Sequence, residues 1–348
     1  MFRGNPQLTG VAVGPLPEKL SLLWTYETGE KNDAFESSAA IVEGVVYVGS
    51  YSGFVHAVGL ADGKLRWKYS TGGEAGVKSS PAVAGGKVFF GDDNGTFHAV
   101  EASSGKLLWK YETLGEIISS PNVIGDRVLF ASTDANLYCL ATADCTVIWQ
   151  FKTEAGGLQC TPAVVEGKTF VSGCDAQLRV IEIATGKEIA SVNMEGQTGA
   201  SPAVLGDRLF VGHFGNEVLG IDWKKAEVLW RYEHPERKFP FYSSPAATAD
   251  RVIVGGRDKM VHCLDPQSGR SKWTFVCKGK VDSSPVIVGN RVFFGSHDGN
   301  IYSLDIETGD EIWRFTTGGP VGASPSVADG RLVIGNDDGK LFCFGQKP

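Results

Sequence analysis

Residues 283–316 read SSPVIVGNRVFFGSHDGNIYSLDIETGDEIWRFT, and this stretch decides the fold. Ser283 to Val288 is a short run that turns apolar, and Gly289-Asn290 supplies a tight turn. Arg291 to Gly295 forms a second run, Ser296-His297-Asp298-Gly299 a loop, and Asn300 to Asp305 a third run. Glu307-Thr308-Gly309 turns the chain again, into Glu311 to Phe315. β-Branched and aromatic residues between Gly, Asn and Asp punctuation are what hairpins require. No sustained 3.6-residue period competes with this pattern. The stretch predicts four short antiparallel strands.

The same unit repeats along the chain. Ser283-Ser284-Pro285 returns as Ser79-Ser80-Pro81, Ser119-Ser120-Pro121, Cys160-Thr161-Pro162, Ala200-Ser201-Pro202, Ser243-Ser244-Pro245 and Ala323-Ser324-Pro325. The first copy, Ser37-Ser38-Ala39, has lost its proline, and the eight copies lie 40 to 43 residues apart. A tryptophan keeps the same beat at Trp24, Trp67, Trp109, Trp149, Trp230, Trp273 and Trp313. Ala190 takes the remaining place, and Trp223 lies outside the pattern. Repeated four-stranded units of this length predict an all-β, eight-bladed propeller of antiparallel blades. Small Ser, Ala and Pro residues suit strands crowded near an axis, and tryptophans fill the outer wedge. The eighth unit stops after its third strand, Lys340 to Phe344, while residues 21–27 form an orphan strand. Pairing the two closes the ring and removes an exposed edge. The chain then divides into an N-terminal extension, 1–20, and one propeller, 21–348, whose strand 21–27 completes the blade begun at 323.

Composition narrows the function. The 348 residues carry 33 Lys+Arg against 40 Asp+Glu, a net charge of -7, which argues against a nucleic-acid partner. No apolar run approaches the ~18 residues of a membrane span. The seven cysteines form no CxxC, which removes thioredoxin-like and zinc-ribbon readings, and no two are adjacent. Cys139 and Cys263 sit ten residues before Trp149 and Trp273, and Cys343 holds the matching place in the last unit. Other units put Ala57, Ala99, Ser303 and Gly220 there, so cysteine acts as a small buried apolar residue.

The phrase Asp305-Ile306-Glu307-Thr308-Gly309-Asp310-Glu311-Ile312-Trp313 resembles the tryptophan-docking motif of the PQQ-like (quinoprotein) repeat family. Partial copies run Asp265-Pro266-Gln267-Ser268-Gly269 before Trp273 and Glu182-Ile183-Ala184-Thr185-Gly186 before Ala190. Cys145 and Ala226 replace the turn glycine in two units, where distorted turns are expected. The resemblance covers residues 20 to 345. Met1-Phe2-Arg3-Gly4-Asn5-Pro6 is also similar to the opening of mature propellers in that family, where it follows an export signal or membrane anchor. This implies a cell-envelope, periplasmic or secreted location, with the cytoplasm as the alternative. Members divide in function. Some are dehydrogenases holding pyrroloquinoline quinone (PQQ) and calcium; others, of the BamB type, bind proteins and carry no cofactor. The dehydrogenases stack the quinone between a Trp and a disulfide of adjacent cysteines, in a pocket built by large insertions. This chain has neither feature, so the expectation is no cofactor, PQQ and calcium being unsupported by the site residues.

A candidate site follows from where the repeats diverge. The residue before each Ser-Ser pair is expected to rim the central tunnel: Glu36, Lys78, Ile118, Gln159, Gly199, Tyr242, Asp282 and Gly322. The matching place in the second-to-third loops, on the same face, holds Tyr51, Asp93, Thr133, Cys174, Phe214, Arg257, His297 and Asp337. The insertion His234-Pro235-Glu236-Arg237-Lys238-Phe239-Pro240-Phe241-Tyr242 lengthens one loop of that face. It is read as exposing Phe239, Phe241 and Tyr242 beside Arg237 and Lys238, a hot-spot composition. The first such loop, Thr28 to Phe35, is also long and charged. Candidate binding residues are therefore Glu36, Lys78, Gln159, Tyr242, Arg257, Asp282 and His297, with Phe239 and Phe241. Asp92-Asp93-Asn94-Gly95 and Asn336-Asp337-Asp338-Gly339 read as turns, lacking the length and distal Glu of a calcium loop. His213 and His297 read as surface loop residues, no carboxylate being at ligand spacing. No GxSxG or P-loop occurs, and no catalytic or metal residue is assigned. The expectation is a monomeric, non-catalytic scaffold binding a protein or peptide, with a PQQ-dependent dehydrogenase or a carbohydrate-binding propeller as alternatives.

Overall fold

The computed structural model describes residues 2–30, 33–73, 75–154 and 156–347. Met1 of the opening phrase and Lys31 and Asn32 of the charged first loop lie outside the described residues. Eight four-stranded antiparallel sheets make up the molecule, with no helix among the described residues. Blade one spans 40–70, and the others follow in register to blade seven, 286–316. Blade eight takes its three inner strands from 326–345 and its outer one from Ser21–Glu27. Ser21 pairs with Gly345 and Glu27 with Lys340, so the two ends of the chain share one sheet.

Each blade places its strands as their side chains demand. The second and third strands are buried on both faces, as in Arg291–Ser296, and pack blade against blade. The fourth strands alternate, as in Glu311–Thr316, with their other face in solvent. The first strands are shorter than the sequence suggests. In blade seven the ladder covers only Val286–Val288, because Pro285 has no N–H to give and the serines before it bond elsewhere. The Ser283 hydroxyl accepts the Gly295 amide at 2.9 Å, and Ser243 does the same for Gly255 at 3.1 Å. Cys160 stands in with its sulfur, and Thr198 covers for Ala200 by donating to the Gly212 carbonyl at 2.6 Å.

The tryptophans lock neighbouring blades. Apart from Trp313, each repeat indole N–H donates to a carbonyl in the last turn of the next blade, among them Trp24 to Leu60 (2.8 Å), Trp67 to Ala102 (2.9 Å), Trp149 to Ile183 (2.8 Å), Trp230 to Pro266 (3.0 Å) and Trp273 to Ile306 (3.0 Å). The ring lies on the turn glycine, where a Cβ at Gly309 would come within 2.7 Å of Trp273. Cys145 keeps the left-handed conformation, with φ 61°, but the Trp109 bond lengthens to 3.3 Å. Across the sheet each Trp faces a small residue: Cys139 opposes Trp149, Cys263 opposes Trp273 and Cys343 opposes Trp24. Trp313 finds no such carbonyl among the described residues, since blade eight has no turn leading into its outer strand; its ring meets Phe344 edge-on at 5.2 Å.

Trp223 is part of this system after all. It sits in the last turn of blade five, where Ala190 of blade four leaves the docking site without an indole. Its ring meets Phe170 edge-on at 5.2 Å, and its N–H donates to Gly206 at 2.9 Å. The receiving blade thus supplies the indole that the donating blade lacks.

Residues 2–20 are bound rather than loose. The Pro6, Gln7, Thr9 and Gly10 carbonyls accept the amides of Val164, Val204, Ala247 and Ile287, one in each of blades four to seven. Ala12 donates back to Ile287 at 2.9 Å. The segment therefore spirals across the tunnel, using inward-facing amides of successive first strands. Arg291 then holds the chain through the Leu16 and Pro17 carbonyls on its way to the perimeter.

Candidate functional site

The first strands surround a tunnel that opens on the face of the fourth-to-first and second-to-third loops. This end is a cavity of about 440 Å³, and Phe2 of the N-terminal segment lies at its floor. A second cavity of about 250 Å³ lies on the other side of that segment, against Arg3 and Val11. The tunnel is thus divided, and its rim end is a cup.

All eight residues preceding the Ser-Ser pairs line this cup, among them Glu36, Lys78 and Gln159. Tyr242 and Asp282 continue the ring, and Arg257, His297 and Asp337 join from the second-to-third loops. Asp282 is its electrostatic centre. Arg257 grips it with two bonds, 2.8 and 3.0 Å, Lys280 approaches to 2.8 Å and His297 to 3.4 Å. Burial pushes the Asp282 carboxyl up, but hydrogen bonds from His297, Arg257 and Lys280 outweigh it and hold it well below the usual carboxylate range. Arg257 lies over the Tyr242 ring at 3.4 Å, and Phe214 stacks on that ring at 4.3 Å. On the opposite side Lys78 pairs with Asp93 at 2.9 Å. Glu36 has no ion-pair partner among the described residues. Its carboxyl is raised, first by removal from water and then by Asp337 and Asp93, against the pull of Lys78. Asp337 is raised too, by burial and Asp338, although the Gly322 amide bonds it at 3.3 Å.

The inserted loop corrects one expectation. Phe239 is 50% exposed, and Tyr242 points into the cup, but Phe241 is 2% exposed and packs on His262 at 5.3 Å. Phe241 belongs to the repeat, not to the insertion. The residue just before each rim position is a buried core position, filled elsewhere by Phe35, Val77, Ile117, Leu158, Val281 and Val321, and by Thr198 in blade five. Its alignment with those residues was the signal that identifies it as core. The histidines are also corrected. His213 is buried at 1% with Glu217 at 3.1 Å, and His297 lies between Asp282 and Asp337. Glu217 lies only four residues beyond His213 in the same loop, whereas the carboxylates at His297 come from two other loops, which linear spacing does not reveal. Asp92 is a turn residue: its carboxylate accepts the Asn94 and Thr96 amides at 3.0 and 2.8 Å and pairs with buried His98 at 2.8 Å. Among the described residues no group of three His, Cys, Asp or Glu is placed to hold a metal ion.

Below the rim lies a ring that serine composition alone does not announce. The Ser38 amide donates to the Ser80 hydroxyl, Ser80 to Ser120, Ser120 to Thr161 and Thr161 to Ser201, at 2.9 to 3.1 Å. Ser201, Ser244 and Ser284 continue it to Ser244, Ser284 and Ser324. At the remaining junction, where the chain ends meet, Ser326 instead donates to the Ala39 carbonyl at 2.6 Å.

The family described as outer membrane protein assembly factor BamB matches residues 17–78, 71–162 and 136–344. A solved BamB from Moraxella catarrhalis superposes with a TM-score of 0.78 over 94% of this chain and 98% of its own, at 19% identity. The quinohemoprotein alcohol dehydrogenase of Comamonas testosteroni reaches 0.81 over 100% of this chain and 80% of its own, at 14% identity. At these identities the likeness concerns the fold. A curated relative, quinohemoprotein alcohol dehydrogenase ADH IIB of Pseudomonas putida, is 23% identical over 138 residues, and this chain spans 20% of its length. With its eight closed blades, in-phase docking tryptophans and a family match along nearly the whole chain, the protein belongs to the BamB family of PQQ-like propellers.

Proposed function

We propose that this propeller is a non-catalytic scaffold of the cell envelope that binds a protein or peptide segment on its rim face. The observation that carries the reading is the inserted loop beside the cup. It presents Phe239, half exposed, next to Arg237 and Lys238, and is anchored by Arg237 to the Asp258 carbonyl at 3.2 Å and by the Arg257 amide to Pro240 at 3.1 Å. An exposed aromatic fixed beside cations at the mouth of a concave surface is the composition of an interface anchor. The BamB family match supports both the protein-binding role and the envelope location.

The residues present do not fit a stacked quinone. Of the aromatic side chains bordering the cup, Phe2 forms the floor and Tyr242 is covered by Arg257 and Phe214 on its faces. The repeat tryptophans stand at blade junctions, and Asp282 is already committed to three cationic partners. A dehydrogenase reading is tested directly by adding PQQ and Ca²⁺ and following the melting temperature and dye reduction.

The scaffold reading is tested by placing a photoreactive benzoylphenylalanine at position 239 and, as a control, at Leu108 on the outer strand of blade two. Irradiation of envelope fractions is expected to give a discrete cross-linked protein from position 239 alone. The same products from both positions, or none from either, would sink it.

A further inference from the structure

We infer that the throat of the cup, on the side of blades six and seven, is a binding site for a carboxylate of an acidic peptide. This rests on the protein-binding reading and adds the chemistry of what enters the cup. It is built from the hydroxyl ring, a buried arginine beneath it and the cations above it.

The hydroxyls lining the throat are deeply buried, from 3% exposure at Thr161 to 8% at Ser324, and all border the cavity. From Ser80 round to Ser324 each oxygen accepts an amide from the blade before it, yet none donates to an acceptor among the described residues. Their protons have only the lumen to bond into. A hydroxyl that accepts an N–H is polarised into a better donor, so the ring favours an acceptor, and a charged one above all.

One residue below Ser244 and Ser284, the Arg3 guanidinium is held by the carbonyls of Pro245 at 2.8 Å and Pro285 at 2.6 Å. Arg3 is 6% exposed, no carboxylate pairs with it among the described residues, and its Nε lacks a partner. Burial lowers its pKa to about 9, which leaves it charged at neutral pH. A buried cation neutralised only by carbonyl dipoles is costly, and an anion in the throat above offsets that cost. On the rim directly over these blades, Arg257, Lys280 and His297 gather on Asp282, and His297 also approaches Asp337 at 3.8 Å. Counting Arg3 beneath the floor, three permanent cations, Arg257, Lys280 and Arg3, stand on this side against two carboxylates, Asp282 and Asp337. A carboxylate, with two oxygens, can accept from the adjacent Ser244 and Ser284 hydroxyls, while Arg3 lies beyond the Phe2 floor against the second cavity and acts on it through its charge alone.

The test is fluorescence anisotropy of the full chain with a fluorescein-labelled Gly-Ser-Gly-Glu-Glu-Glu peptide. Its C-terminal amide and an uncharged Gln-for-Glu amide separate the chain end from the side chains. The acidic peptide is expected to bind saturably and the uncharged one at least about 10-fold more weakly. Ser284→Ala, and separately Lys280→Gln, which is on the surface and outside the ring, are each expected to weaken the acidic peptide by about 3- to 10-fold with the melting temperature of Lys280→Gln unchanged. Equal affinity for charged and uncharged peptides, no binding of either, or unchanged affinity in both variants would overturn the site. Should that occur while position 239 still cross-links a discrete protein, the scaffold reading stands and only the carboxylate site falls.

Discussion

Trp223 shows how a repeat absorbs the loss of a key side chain. The docking place vacated at Ala190 is filled from the other side of the junction by an indole that packs on Phe170 and bonds within its own blade. Trp223→Ala should therefore cost about 3–5 kcal/mol, as other buried aromatic truncations do, and denaturant unfolding measures it. Adding Ala190→Trp to that variant should restore part of the loss, whereas Ala190→Trp alone should overpack the site and destabilise. His56 carries a different burden. It is fully buried, with its ring 2.9 Å from the Tyr26 hydroxyl and 3.2 Å from Ser50. Burial, helped by Lys68, pushes its pKa from 6.5 down to about 4. The folded value lies below the unfolded one, so the fold holds the neutral ring. The contribution is whole above pH 6.5 and is lost as pH falls from there through 4, up to about 3 kcal/mol. His56→Leu should remove that part of the pH slope in urea titrations between pH 7 and 4. The docking tryptophans and their small partners were legible in the sequence because they recur in phase. Trp223 was not, since a compensating residue lies off the beat.

The strand Ser21–Glu27 does two jobs at once. Its backbone completes blade eight through Lys340–Gly345, while its Trp24 docks into the last turn of blade one. One strand thus ties blades eight and one together across the point where hydroxyl-to-amide bonding is interrupted. Removing residues 1–27 exposes the Lys340–Gly345 edge and the hydrophobic faces of two blades. The truncated chain should lose its single cooperative melting transition and associate, as size-exclusion chromatography and calorimetry would reveal. Deletion of residues 1–12 alone should leave one cooperative transition. The pairing of 21–27 with the last unit was readable from counting strands. The burial of Phe241 was harder to see, because the insertion interrupts the count two residues before the rim position.

The ring as a whole owes its cup to a segment with no repeat signal. Which carbonyls Arg3 meets, and which amides Pro6, Gln7, Thr9 and Gly10 cover, depends on the ring being closed, so nothing local in residues 2–12 announces it. The rim was legible for the opposite reason: position in the repeat fixes direction toward the axis, and sequence divergence there marks the surface. Charge pairing around Asp282 needed three loops brought together and could not be read from spacing. Hydrogen exchange checks the seating of the N-terminal segment. In the 1–12 deletion the amides of Val164, Val204, Ala247 and Ile287 should exchange at least about 10-fold faster, while those of the second strands keep their protection.

Phe2 at the base of the cup also limits how a guest can be held. A polypeptide cannot be threaded through this ring as through a sliding clamp. Only a tail or the tip of a loop can be admitted, and it has to back out by the door it used. A partner bound as proposed would therefore be recognised by an ending or a corner, not by the middle of an extended strand.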